Sequence, residues 1–78
     1  MLTEFQKERI ICLCRASRKA QGITQKHLAN QSAFSNLALS AFENGKYIDG
    51  IAEMYFQTVL REAERDTFNR IKEYNNGY

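Results

Sequence analysis

Few residues in this 78-residue chain have the type and spacing that covalent chemistry requires. Cys12 and Cys14 stand two apart in a segment with helical periodicity. Their side chains therefore point about 200° apart and can neither close a disulfide nor grip one metal ion. They read as two reduced thiols, one of them near the core. His27 has no second histidine and no cysteine at metal-ligand spacing, and it reads as a solvated side chain. There is no glycine-rich phosphate loop and no nucleophile with a recognisable base partner. The expectation is a binding protein and not an enzyme, with no cofactor.

Charge and short polar side chains offer more. Residues 1–48 hold seven Lys/Arg against three acids, a net of +4, and residues 49–78 hold four against six, a net of −2. A basic first part and an acidic second part suit a chain that meets a polyanion with one face. Within the basic part lies the run TQKHLANQSAFSNLALSAFENGK, residues 24–46. With Leu39 at 0° on a wheel of about 100° per residue, Phe42 and Ala38 fall at about −60° and −100°, a core stripe. Asn36, Leu37, Ser40, Ala41 and Asn44 fall between about +60° and +200°. A helix whose outward side chains are short enters a major groove about 12 Å wide and reaches base edges. Lys26, Lys46 and the cations of the first helix then flank it and contact phosphates.

Such a face needs elements to hold it, and the chain supplies helix signals throughout. Thr3 with Gln6 forms a capping box, and Ile10, Leu13, Cys14, Ser17 and Ala20 follow at helical spacing. Gly22 marks the stop. Thr24 caps a short helix over 25–31, and Ser35 caps a third, which ends at Asn44-Gly45. Asp49 is expected to cap a fourth helix with the stripe Ile51, Met54, Tyr55, Thr58 and Val59. From Ile51 to Asn76 there is neither glycine nor proline, which predicts one long helix, or two with a new cap at Asp66.

The ungapped run resembles the helix-turn-helix of the lambda-repressor-like (Cro-repressor, XRE) family. Thr24-Gln25 opens helix 2, Leu28-Ala29 lies inside it, and Ser35 caps helix 3. Leu39 and Phe42 stand at core positions, and Glu43-Asn44-Gly45-Lys46 closes the motif. Arg18-Lys19-Ala20-Gln21-Gly22-Ile23 is similar to the family's first helix and turn, and the resemblance covers roughly residues 9–60. It implies an all-α domain of four or five helices over 1–78, with the helix-turn-helix at 24–44. It also implies that Gln25 donates to a phosphate, that Asn36 and Leu37 are the first base readers and Ser40 and Ala41 the later ones, and that Asn44 and Lys46 hold the backbone. Lys26 and Ser35 complete the DNA-facing set. Arg18 and Glu43 match a structural ion pair between helices 1 and 3. Leu37 and Ala41 depart from the family's polar readers. Ala33 stands where relatives carry glycine, a left-handed position that strains alanine.

The implied function is that of a sequence-specific, repressor-like transcriptional regulator of bacterial, phage or mobile-element origin. It would bind double-stranded DNA as a homodimer. The alternative is a protein-binding module on the same fold, an antirepressor or an inhibitor of a host protein, with Leu37 as anchor. The C-terminal extension, residues 61–76, bears on partners. Leu60, Ala63, Thr67, Ile71 and Tyr74 lie at near-heptad spacing with Phe56 and Phe68 beside them. Leu60, Phe68, Ile71 and Tyr74 either form a dimerisation surface or fold back to complete the chain's own core.

Composition sets the outer limits. At 44% hydrophobic and 26% charged residues the chain has ordinary globular composition. A chain this short buries only about 60–65% of its unfolded surface, enough for one core. No apolar stretch approaches the roughly 18–20 residues that span a bilayer. The first eight residues are charged where a signal peptide has its apolar core. The expectation is a soluble cytoplasmic protein with no membrane contact.

Overall fold

The computed structural model describes residues 1–76; Gly77 and Tyr78, included in the expected domain, lie outside the described residues. Four helices follow one another: α1 (Glu4–Ala20), α2 (Gln25–Gln31), α3 (Asn36–Glu43) and α4 (Ile51–Asn76). Among the described residues there is no strand, so the class is all-α. None of the helices is long and apolar enough to cross a membrane.

Local chemistry sets most of the boundaries. Thr3 Oγ1 accepts from the Gln6 amide at 3.1 Å while Gln6 Oε1 accepts from the Thr3 amide at 2.9 Å, a reciprocal capping box. Thr24 and Ser35 accept from the amides of His27 and Ala38 and start α2 and α3. Both α1 and α3 end in the same way. Gly22 (φ 74°) and Gly45 (φ 114°) turn left-handed just past the caps. The amides of Ile23 and Lys46 then reach back to the carbonyls of Arg18 and Ala41. This is the double closure that satisfies the orphan carbonyls of a helix end.

Two expectations change, and of two alternatives for the last helix the unbroken one holds. Asp49 stands one residue too early to cap α4, because the carbonyl that accepts from the Met54 amide belongs to Gly50. Among the described residues no non-glycine residue has a positive φ, so Ala33 makes its turn without left-handed strain. Its neighbour Ser32 closes the turn instead, its hydroxyl accepting from the Phe34 amide at 3.3 Å. Finally, α4 does not break at Asp66, whose carboxylate pairs with Arg70 Nε at 3.1 Å one turn on.

One core joins the helices. Ile11 and Cys14 from α1, Leu28 from α2, Leu39 and Phe42 from α3, and Ile51, Ala52, Tyr55 and Val59 from α4 are buried together with Ile23. The Phe42 ring packs against Tyr55 and Tyr47 at centroid distances of 5.8 and 6.1 Å. The core stops short of the end of α4, and the shape records it. The radius of gyration is 14.5 Å, and the extents are 51 × 22 × 17 Å. A compact chain of this length has a radius of about 11–12 Å. The excess is the distal part of α4, exposed from Thr67 to Asn75. The fold-back of this segment onto the core, open from the sequence, does not occur: the chain's own core is already closed by the first half of the helix.

Candidate nucleic-acid interface

α3 is eight residues long and cannot hold its shape alone. It is gripped from behind. Leu39 and Phe42 sink into the core, and Glu43, at the last turn, is buried with them at 7% exposure. A carboxylate there needs partners. Arg18 supplies two bonds, Nη2 to Oε1 at 2.9 Å and Nε to Oε2 at 3.0 Å. The Tyr55 hydroxyl donates to Oε2 at 2.9 Å and in turn accepts from Arg18 Nε at 3.0 Å. Arg18 Nη1 also donates to the Ile23 carbonyl at 2.8 Å, and Arg15 donates to the Glu43 carbonyl at 3.4 Å. The cluster thus ties α1, the α1–α2 turn, α3 and α4 to one guanidinium.

Its electrostatics follow from burial and pairing. Burial pushes the Glu43 carboxyl up, but the hydrogen bonds from Arg18, Tyr55 and Gln25 and the Arg18 charge outweigh it, and its pKa lies below the usual value. Burial and the Glu43 carboxylate together raise the Tyr55 hydroxyl. Burial, with the Glu43 charge second, pushes the Cys14 thiol up to about 11. No buried side-chain polar atom lacks a partner among the described residues.

The outward side of α3 contrasts with this. Asn36 and Leu37 are exposed, Leu37 at 81%, and Ser40 and Ala41 are half-buried. The one charged side chain of α3, Glu43, points away into the cluster, so this face carries no charge. Ser35 is exposed, its oxygen accepting from Ala38 while its hydroxyl proton stays free to donate. Lys26, Asn44 and Lys46 are exposed, and neither lysine forms an ion pair among the described residues. Gln25 is half-buried and lends its side-chain amide to the Glu43 carboxylate. The α1 cations divide. Arg18 is spent in the cluster, and Lys7 pairs with Glu4 at 3.4 Å and lies over the Tyr47 ring. Lys19 stays exposed near the end of the helix.

Two contacts escaped the reading of the sequence. Tyr55 stands on the expected stripe of the fourth helix, and its hydroxyl is the third member of the Arg18–Glu43 cluster. The available signal was a tyrosine in place of phenylalanine on the buried stripe of α4, since a buried hydroxyl requires a partner. His27 stands 3.6 Å from Glu62 Oε1 on α4, a contact between residues 35 positions apart that no local pattern announces. Among the described residues no group of three or more His, Cys, Asp or Glu could hold a metal ion.

The second exposed feature lies on α4. Leu60, Phe68, Ile71 and Tyr74 are each more than half exposed. On a helical wheel Leu60, Ala63, Thr67, Ile71 and Tyr74 fall within about 80° of one another, well off the buried face of Ile51, Tyr55 and Thr58. The chain matches no family model, no curated protein and no solved structure.

Proposed function

We propose that the chain is a sequence-specific DNA-binding transcriptional regulator with a lambda-repressor-like helix-turn-helix, of bacterial, phage or mobile-element origin. It binds double-stranded DNA in the cytoplasm and does no catalysis of its own. α2 and α3 form the motif, and α3 enters the major groove. The observation that supports this most is the inward turn of Glu43. The only acid on α3 is buried and neutralised by Arg18, so the helix approaches phosphates without repulsion. Asn36, Leu37, Ser40 and Ala41 are left toward the bases, with Lys26 and Lys46 free for the backbone, joined by Gln25, Ser35 and Asn44. The exposed stripe on α4 supports pairing of two copies through Leu60, Phe68, Ile71 and Tyr74, which suits a two-fold operator.

A protein-binding module is the second reading, favoured by the 81% exposure of Leu37 on a face with no arginine. A salt titration separates the two. Each phosphate neutralised contributes about −0.9 to the slope of log K against log salt. On labelled duplex between about 50 and 200 mM salt, Lys46→Ala should weaken binding to all sequences alike and flatten the slope by about one per subunit. Absence of binding at the lowest salt, or indifference to Lys46, would defeat the regulator reading and leave the protein partner.

A further inference from the structure

We propose that α3 reads the 5-methyl group of pyrimidines: its target carries thymine opposite Leu37 and Ala41, and 5-methylcytosine substitutes for thymine there. This rests on the DNA-binding reading and adds what that face selects.

The inference comes from the inventory of α3, NLALSAFE. Guanine is read most often by arginine or lysine, through paired bonds to O6 and N7. α3 has neither, and its one charged residue is buried in the ion pair. The outward face therefore offers one amide, Asn36, one hydroxyl, Ser40, and two apolar groups, Leu37 and Ala41. An asparagine amide pairs with adenine N6 and N7, and an apolar side chain meets the methyl of thymine, the one apolar group on the major-groove edge. Asn36, Leu37 and Ala41 thus lean toward A·T pairs, while the Ser40 hydroxyl suits either. Leu37 and Ala41 are one turn apart on the same side, about 6 Å along the axis, or nearly two base-pair steps. Two nearby methyls are within reach of one face.

The exposure of Leu37 supplies the driving force. At 81% accessible, nearly all of its apolar surface is in water in the free protein and is available to be buried on a methyl. Burying one methyl is worth about fourfold in affinity. Because the contact is apolar, it is independent of the phosphates and of salt. The methyl of 5-methylcytosine occupies the same place on the pyrimidine ring as that of thymine, so cytosine methylation at such a position strengthens binding where unmodified cytosine weakens it.

The test starts from a randomised duplex pool, from which the full chain selects its best sites at about 100 mM salt. The selected duplex is remade with dU replacing each dT in turn, which removes one methyl and no hydrogen bond. It is also remade with cytosine or 5-methylcytosine at the responsive position. One or two dT→dU changes should each lower affinity about fourfold, and 5-methylcytosine should exceed cytosine by a similar factor. Leu37→Ala, at an exposed position, should keep its helix content and its salt slope while erasing the dT/dU difference at one position. A selected duplex indifferent to every dT→dU change, or a Leu37→Ala protein that keeps the full difference, would overturn the inference and leave the DNA reading standing. No selected duplex and no binding would overturn both.

Discussion

The two halves of α4 are built on opposite terms. From Ile51 to Val59 the helix is defined by what surrounds it: five residues are buried, Tyr55 is held by Arg18 and Glu43, and the Thr58 hydroxyl bonds the Met54 carbonyl at 2.7 Å. From Thr67 to Asn75 every side chain is exposed, and three of them are large and apolar. The helix does not notice the change, because extending a formed helix costs no new nucleus. The i,i+4 pair Asp66–Arg70 helps across the junction. Continuity of a helix is thus no evidence that its whole length is packed, and the apolar content of the second half serves something other than this core.

That contrast breaks first at Arg18. Arg18→Met leaves Glu43 buried without its cation and should cost about 3 kcal/mol in urea unfolding. A loss under about 0.5 kcal/mol would mean that the cluster contributes nothing to the fold. An intermediate effect is expected from pH. The Glu43 pKa is lowered on folding, so its contribution is present above its ordinary value of 4.5 and is lost as pH falls through the folded value. The Cys14 thiol is raised from 9.0 to about 11, so its contribution is present below pH 9 and is lost as pH rises toward 11. Unfolding midpoints measured from pH 3 to 11 should fall at both ends, and Arg18→Met should blunt the acid limb. An acid limb unchanged in that variant would separate Glu43 from Arg18. The smallest effect belongs to the distal half. Ile71→Glu should shift monomer unfolding by under about 0.5 kcal/mol, while sedimentation should show it monomeric where the parent is a dimer. Equal masses for the two proteins would remove the role assigned to the stripe.

What could be read in advance was local. Thr3, Thr24 and Ser35 are caps whose partners lie three residues away, and Gly22 and Gly45 act on the carbonyls just behind them. The pairing of Arg18 with Glu43, 25 positions apart, came from family likeness and not from any pattern in the residues. Tyr55 lies 37 positions from Arg18, and no periodicity connects them. The course of α4 past Asp66 was equally hidden, because an aspartate suits the start of a new helix as well as a pair with an arginine one turn on. On the outward face of α3 the positions were legible from the wheel, whereas the part that Gln25 plays at Glu43 depends on how α2 meets α3.

One guanidinium joins α1, the turn that follows it, α3 and α4, and this has a consequence for time. Its bonds to Ile23, Glu43 and Tyr55 are complete only when α1, α3 and α4 are all in place. Any state in which α3 alone has come away loses the bonds of Glu43 to Arg18 and Tyr55 together with the burial of Leu39 and Phe42, so α3 is held by more than its own short ladder. An eight-residue helix would otherwise fray within a microsecond. Tied to Arg18 and Tyr55 through Glu43, α3 is held against that fraying, and the surface it shows to a partner outlasts that of a free helix of its length.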